Sequence, residues 1–104
     1  LATIPDSVAS ELDLVEGAAI TEVRSGTPAA RAGLRGATGS RSVAGEAYPT
    51  GGDVITAVDG KPISSADALR RAIEAKHPGD AISVTYSREG RSHNVELTLA
   101  SRPS

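Results

Sequence analysis

The last third of the chain contains two short stretches in which apolar and polar residues alternate. In the first, Ile82, Val84 and Tyr86 are separated by serine and threonine. In the second, Val95–Leu99, glutamate and threonine stand between the apolar residues in the same way. A period of two residues puts the apolar side chains of a strand on one face. With the turn-like segment Arg88–Ser92 between them, the two stretches predict an antiparallel hairpin with one buried face.

A helix is predicted just before this hairpin. The pair Ser64–Ser65 can cap its first turn, and an acidic residue three positions after the first serine completes the spacing of a capping box. Leu69 and Ile73 are four residues apart and therefore share one face of the helix. The segment Lys76–Gly79 contains a base, a proline and a glycine, which is typical of a helix end.

The middle of the chain predicts two more strands and a short helix. Val54–Val58 is apolar on both faces, which is typical of a central strand. A tight turn at Asp59–Gly60 then leads into the extended segment Lys61–Ile63. Upstream, Ala18–Val23 predicts a strand, and Pro28–Ala32 predicts a short helix with proline in its first position.

Two segments have a weaker pattern. Asp6–Leu14 is compatible with one or two helical turns capped by its aspartate. Arg35–Gly52 holds five of the eleven glycines, so it predicts a long surface excursion with room for a loose hairpin through Ser42–Tyr48. In chain order, the elements predict an α+β fold on a mostly antiparallel sheet.

The core of such a fold must be aliphatic here. The chain has no Phe, Trp, Met or Cys, and its only aromatic residues are Tyr48 and Tyr86. Its 104 residues match the common size of one compact domain, and a Val, Ile, Leu and Ala core suits a small β-rich sandwich or barrel. A net charge of −2 argues against nucleic acid or an anionic membrane as the main partner, and the apolar runs are too short for membrane insertion. The start at Leu1, without a signal-peptide pattern, is typical of an excised domain.

The sequence offers no pattern for catalysis, metal binding or a cofactor. His77 lies in a helix-end segment and His93 in a strand of polar outer residues, where surface histidines are commoner than bases or ligands. No serine stands in the sequence setting of a hydrolase nucleophile, and no glycine-rich segment has the pattern of a phosphate loop. We therefore expect no catalytic residue, no metal and no cofactor in this chain.

Several blocks of the sequence resemble bacterial PDZ domains, in the same order along the chain. The resemblance covers about Leu12 to Leu99 and leaves out the glycine-rich excursion. It implies a single PDZ domain over residues 1–104, with Arg35–Gly52 as a long loop insertion. It also implies a mostly antiparallel, five- to six-stranded, partly open barrel or sandwich with one longer and one short helix. The similar blocks are Gly17–Val23, Ser25–Leu34, Gly52–Ile63, Asp67–Leu69, Pro78–Asp80 and Tyr86–Gly90.

The lead-in Leu1–Leu14 is similar to that of PDZ domains in HtrA-family serine proteases, which are DegP-like and trypsin-like. This resemblance implies a non-catalytic, peptide-binding module of an extracytoplasmic protease, in the periplasm, in the cell envelope or secreted. Its partners would be peptides or C-termini of unfolded proteins, and also the parent protease domain or neighbouring subunits. Two alternatives stay open: a PDZ module of a site-2 or carboxyl-terminal processing protease, and a structural assembly module.

The resemblance also implies where a peptide would bind. An edge strand accepts the peptide as one more strand, and a helix walls the groove. Ala2 stands where the family has glycine, and Thr3 where an apolar residue is usual, so carboxylate capture would be weaker or differently shaped. The implied peptide-binding residues are Leu1, Ala2, Thr3 and Ile4 on the strand, and Ala66, Leu69, Arg70 and Ile73 on the helix.

Each of these assignments has a simpler alternative. Leu1–Ile4 would be a frayed terminus if nothing held it. Leu69 and Ile73 would be plain core residues, since apolar residues four apart on a helix usually point inward. Arg70 at the rim would favour acidic peptides, or it is a solvated surface arginine.

Overall fold

A computed structural model describes residues 2–12, 15–23, 25–77, 79–88 and 90–99. The described residues form helices and strands joined by turns and loops, and the elements predicted from the sequence pattern occur in the predicted order. The helices are α1 (Asp6–Leu12), α2 (Pro28–Arg31) and α3 (Ala66–Glu74). The strands are β1 (Ala2–Ile4), β2 (Gly17–Ala19), β3 (Gly39–Val43), β4 (Glu46–Thr50), β5 (Val54–Val58), β6 (Lys61–Pro62), β7 (Ala81–Arg88) and β8 (Arg91–Thr98).

Six of these strands form one sheet in the described part of the chain. Its order is β1-β2-β5-β7-β8, with β6 paired to β5, and every pairing is antiparallel. The sheet is open, with β1 at one end and β8 at the other. Strands β3 and β4 pair only with each other. The predicted α+β fold on an antiparallel sheet is confirmed.

The predicted hairpin is the pair β7–β8. Ile82 lies opposite Leu97 and Val84 opposite Val95, so apolar side chains meet on one face. The alternate residues of β7 that the pattern assigned to the core are all buried. Strand β5, predicted as central, lies between β2 and β7. The turn after it is tight because Asp59 and Gly60 both have positive φ, 50° and 80°.

The main core lies between the sheet and helix α3. Leu69 is the most deeply buried side chain of α3, with 2% of its surface exposed. It packs into a cluster of aliphatic side chains together with the ring of Tyr86. The buried members of this cluster are Ala18, Ile20, Leu34, Ile55, Val58, Ile63, Leu69, Ile82, Val84, Tyr86 and Leu97.

Strand β2 is shorter than the predicted strand Ala18–Val23. It ends at Ala19, although the amide of Ile20 still donates to the carbonyl of Asp53 at 2.9 Å, in the same register. The cap of α3 is Ser65, whose hydroxyl accepts from the amide of Ala68 at 3.1 Å. Of the two serines that can cap the helix by sequence, Ser65 is therefore the one that does so.

The glycine-rich excursion contains an ordered hairpin that is longer than predicted. Strands β3 and β4 pair from Gly39 with Thr50 to Val43 with Glu46. The two residues between the strands, Ala44 and Gly45, have φ values of 51° and 87°. Two consecutive positive φ values fit the twist of a two-residue hairpin turn, so the strands remain paired up to the turn.

A buried carboxylate joins three parts of the fold. Asp53, with 0% of its surface exposed, lies just before β5. Its two carboxylate oxygens accept from Nε and Nη2 of Arg88, both at 2.8 Å, and from the amide of Arg35 at 2.9 Å. The same guanidinium donates to the carbonyl of Gly33 at 2.9 Å. This cluster fixes the loop after α2 and the start of β5 to the end of β7.

The environment of Asp53 determines its protonation. Burial alone would raise the pKa of this carboxyl group, because it disfavours the charged form. The Arg88 guanidinium and the Arg35 amide outweigh that effect and hold the pKa of Asp53 below its ordinary value. The group is therefore ionised in the folded protein at neutral pH.

Candidate functional site

Strand β1 forms an edge of the sheet in the described structure. It pairs with β2 through Ala2 opposite Ala19, Thr3 opposite Ala18 and Ile4 opposite Gly17. On its other side, no strand of the described residues pairs with it. An edge strand of this kind presents backbone N–H and C=O groups that one further strand can use.

A glycine allows the next strand to support β1 closely. A Cβ atom built on Gly17 would collide with the backbone carbonyl of Ile55 and approach a methyl group of Val54. The missing side chain therefore lets β2 lie against β5, and β1 is paired onto β2 at this point. Gly17 belongs to one of the sequence blocks that resemble PDZ domains. Its role in bringing β2 close to β5 is visible only in the structure.

The side chains of β1 point to opposite faces of the sheet. Ile4 is completely buried in a second apolar cluster with Ala9, Ala19 and Val54. Only its backbone is therefore available to a ligand, as strand addition requires. Thr3 points the other way, and its hydroxyl oxygen accepts from the amide of Ala66 at 3.0 Å. Leu1 lies outside the described residues.

The four helix residues singled out from the sequence have different environments on α3. Leu69 is a core residue, and its contact with a peptide stays a prediction. Ala66 and Ile73 are half-buried at the margin of the core. Arg70 is exposed, and its guanidinium forms an ion pair of 3.0 Å with Asp67. Arg70 is therefore a solvated side chain, and its role towards a peptide stays a prediction.

An apolar cavity of about 270 Å³ lies between α3 and the sheet. Its lining includes Ile20, which follows Ala19 of β2, and Ile55, which pairs with Ala18 of the same strand. Apart from Glu22 and Thr27, its described lining is aliphatic. Leu69 and Ile73 line it from α3; Val23, Ala29 and Leu34 from the α2 region; and Ile55, Ile82, Val84, Leu97 and Leu99 from the sheet side.

A second, more exposed cavity of about 410 Å³ follows the outer face of α3. Ile73 borders both cavities. The outer cavity is also bordered by Ala66, Arg70 and two carboxylates, Asp67 and Glu74. The structure thus brings three of the four predicted helix residues to one concave surface and puts the fourth beneath it.

The hairpin β3–β4 supports β1 from behind. Tyr48 of β4 packs against the second apolar cluster, which contains Ile4. Its hydroxyl donates to Glu46 at 2.8 Å, and this hydrogen bond is the main reason why the pKa of Tyr48 is raised. Sequence reasoning treated this segment as a passive insertion, and Tyr48, one of only two aromatic residues, was the available signal for packing.

The two histidines lie outside both cavities. His93, on β8, stacks on the ring of Tyr86 with centroids 5.4 Å apart. His77 is exposed, and its amide donates to Asp80. Among the residues that the structure describes, no group of three or more His, Cys, Asp or Glu side chains is arranged to hold a metal ion. None of the described helices has the length and apolar character to cross a membrane.

Comparison with protein families and curated proteins gives consistent matches. Residues 7–99 match the family described as PDZ domain. A Rhizobium meliloti protein named probable periplasmic serine endoprotease DegP-like is 31% identical over 103 residues, covering 97% of this chain and 18% of that protein. The periplasmic pH-dependent serine endoprotease DegQ of Escherichia coli is 33% identical over 91 residues, covering 88% and 17%. The chain thus spans less than a fifth of the length of these relatives.

Solved structures share the same fold. A structure described as the HtrA-type protease AlgW with decapeptide has a TM-score of 0.60 and 29% identity, covering 98% of this chain and 27% of that one. The PDZ domain of an SdrC-like protein from Listeria monocytogenes has a TM-score of 0.59 and 21% identity, covering 83% and 74%. Both comparisons agree with the resemblance found in the sequence.

Proposed function

The chain belongs to the PDZ domain family, and we propose that it is the non-catalytic, peptide-binding module of an extracytoplasmic HtrA-like serine protease. The observation that carries the proposal is the edge strand β1, which the described residues leave without a second strand partner, close to helix α3 and to an apolar cavity. Relatives named periplasmic serine endoproteases support the parent activity and the location.

In this proposal a peptide adds to β1 as an antiparallel strand. Its backbone pairs with the free edge at Ala2, Thr3 and Ile4, and its C-terminal end lies at the start of β1. The last side chain then enters the apolar cavity, which lies at that end. The backbone N–H group of Ala2 would be the described donor to the terminal carboxylate.

The helix residues have distinct roles in this arrangement. Ile73 contacts the terminal side chain, because it lines both the inner cavity and the outer one. Leu69 forms the floor of the inner cavity, and Ala66 and Arg70 border the path of the upstream residues. Burying a valine- or leucine-sized terminal side chain contributes roughly 1.5–3 kcal/mol, so an apolar C-terminus is the expected preference.

The charges beside the outer cavity argue against a preference for acidic peptides. Arg70 is already paired with Asp67, and Glu74 adds a second carboxylate to the same lining. The wall therefore carries one positive and two negative charges. These groups are exposed and screened by solvent, so they modulate affinity weakly compared with the apolar cavity.

In the parent protein, peptide capture would tether unfolded substrates or shift the protease towards its active arrangement. Both effects need only that the peptide-bound module presents a surface different from that of the free module. The reaction itself would be carried out by another part of the parent chain.

A titration with C-terminal peptides tests the proposal. Each peptide of a library is offered as free acid and as C-terminal amide, and binding is measured by calorimetry. We expect the acid to bind more tightly than the amide. Ile73→Glu should abolish binding, because it places a charge in an apolar cavity. Arg71→Glu is the matched control, since Arg71 is exposed on the same helix and lines neither cavity.

The other outcomes are equally informative. Equal binding of acid and amide would mean that the edge strand accepts internal segments and captures no carboxylate. No binding by the unmodified chain would refute the peptide-binding proposal and favour an assembly module. Binding that survives in Ile73→Glu would place the ligand elsewhere on the domain.

A further inference from the structure

An ion pair ties the C-terminal end of α3 to the sheet. Nζ of Lys76 lies 2.9 Å from Oδ2 of Asp59, the residue that follows β5 and begins the turn to β6. Lys76 is the second residue after the helix, and its backbone amide donates to the carbonyl of Ile73 at 3.0 Å. One residue therefore holds Ile73 through its backbone and the turn through its side chain.

The turn is a firm attachment point because Asp59 is itself bonded to strand β7. Its amide donates to the carbonyl of Ser83 at 2.8 Å, and its Oδ1 accepts from the amide of Ser83 at 2.8 Å. Its φ of 50° is a conformation that aspartate and asparagine adopt more readily than most other residues. The second carboxylate oxygen, Oδ2, contacts Lys76. The ion pair thus connects the end of α3 to both β5 and β7.

Both members of the pair are charged at neutral pH. The Ser83 amide and then the Lys76 ammonium group hold the pKa of Asp59 below its ordinary value, and Asp59 is the main cause of the raised pKa of Lys76. The side chains of Lys76 and Asp59 are 37% and 33% exposed, so solvent screens their attraction in part. Asp80 also acts on Lys76 through space, but its Oδ2 accepts from the amide of His77. The direct contact of the ammonium group is therefore with Asp59.

The ion pair acts on the part of α3 that borders the two cavities. Leu69 anchors the middle of the helix in the core, and the amide of Ala66 at the opposite end donates to Thr3 of β1. Ile73 lies four residues beyond Leu69 and borders both cavities. The ends of elements open at a lower free energy than the core, so the last turn of α3 is the part most free to shift. A contact at this end keeps Ile73 in place.

We propose that Lys76 is a positioning residue for the peptide groove, because its ion pair with Asp59 keeps Ile73 against the cavities. This inference rests on the proposed peptide-binding function. A protein whose binding-competent arrangement is only part of its population binds its ligand more weakly by that fraction. A solvent-accessible ion pair shifts an equilibrium at most about fivefold. Loss of the pair should therefore weaken peptide binding by about twofold to fivefold.

The test is a calorimetric titration at low salt with one hexapeptide, a free acid that has an apolar last residue and no charged side chain. Lys76→Gln should bind this peptide about twofold to fivefold more weakly than the unmodified chain does. Lys76→Arg keeps the positive charge and should restore the affinity of the unmodified chain. Lys61→Gln is the matched control and should not change the affinity. Lys61 is exposed, acts on Asp59 only through space among the described contacts, and lines neither cavity.

A second variant tests the other member of the pair. Asp59→Asn keeps an oxygen that can accept from the Ser83 amide and keeps a residue type that tolerates positive φ, but it loses the charge. It should weaken binding as much as Lys76→Gln does. The double variant should bind no more weakly than either single variant, because all three lack the same contact. The ratio of dissociation constants between Lys76→Gln and the unmodified chain should also fall towards one between about 0.05 M and 1 M salt, since salt screens the pair.

Urea unfolding establishes that each variant is folded at the temperature of the titration. Equal peptide affinities of Lys76→Gln and the unmodified chain would overturn the positioning role and leave the proposed function intact. Additive losses in the double variant, an unchanged ratio at high salt, or an equal loss in Lys61→Gln would also overturn it. If the unmodified chain binds no peptide, the proposed function fails, and the inference fails with it.

Discussion

Replacing the buried carboxylate of Asp53 by an amide should destabilise the fold more than any surface change. In Asp53→Asn the side chain keeps its shape but loses the charge that pairs with Arg88. The guanidinium is then left beside a neutral group, although it retains its bond to the carbonyl of Gly33. The affected contacts connect the loop after α2, the start of β5 and the end of β7.

The expected cost follows from the burial of the pair. Removing one partner of a buried ion pair costs about 3–5 kcal/mol. The Arg88 side chain is 24% exposed and that of Asp53 is 1% exposed, so water can compensate part of the loss at the arginine. We therefore expect about 3 kcal/mol, which is a large fraction of the 5–15 kcal/mol that stabilises a typical domain.

Urea unfolding at a series of pH values measures this cost and its origin. The pKa of Asp53 is lowered by folding, so its contribution is present above the ordinary value of 3.8 and is lost as pH falls through the folded pKa. The difference in unfolding free energy between the unmodified chain and Asp53→Asn should be constant at neutral pH. It should shrink below about pH 4, where the carboxyl group of the unfolded chain takes up a proton.

A double-mutant cycle with Arg88→Gln identifies the partner. The coupling free energy between the two positions should exceed about 1 kcal/mol, because the groups are in direct contact. A cost below about 1 kcal/mol at pH 7 for Asp53→Asn would refute the reasoning. A difference between the two forms that does not change with pH would refute it as well, since the charge would then play no part.

Two further substitutions test the support of β1. Gly17→Ala should lower the free energy of unfolding in urea by more than about 2 kcal/mol, because its Cβ would collide with the carbonyl of Ile55. Gly39→Ala is the control, because the nearest atom to its Cβ would lie at an ordinary 3.6 Å. It should lower the free energy of unfolding by less than about 1 kcal/mol. Equal costs at the two glycines would contradict the close-approach argument. Tyr48→Ala should cost about 1–2 kcal/mol and accelerate amide exchange in β1, since the half-buried ring covers the cluster around Ile4. Tyr48→Phe keeps that packing and should change neither the free energy of unfolding nor the exchange in β1. A loss of stability in Tyr48→Phe equal to that in Tyr48→Ala would assign the effect to the hydroxyl group.

Much of the fold was predictable because its signals are local. The period of two in β7 and β8 determines which side chains face the core, whatever the rest of the chain does. The Asp59–Gly60 turn follows from residue types that accept positive φ. The family resemblance added an edge strand at the start of the chain and a helix beside it, which local patterns do not contain.

The candidate site was predictable in outline only. The edge strand and α3 were identified from the resemblance. Leu69 and Ile73 lie four residues apart on one face of α3, and yet their environments differ. Leu69 is in the core, whereas Ile73 borders both cavities. Helical periodicity gives a direction around the helix axis, but the position of the helix on the sheet decides which of the two meets solvent.

The sequence by itself determined the alternation of the strands, the tight turns, the aliphatic core and the family. Only the tertiary structure decided that Asp53 is neutralised by Arg88, that Tyr48 covers the back of β1 and that Thr3 reaches Ala66. Asp53 and Arg88 are 35 residues apart in the chain, and Thr3 and Ala66 are 63 apart. Tyr48 is 44 residues from Ile4, a member of the cluster on which it packs. Backbone preferences act between near neighbours in the chain, whereas contacts at such separations exist only after the sheet and helix have packed.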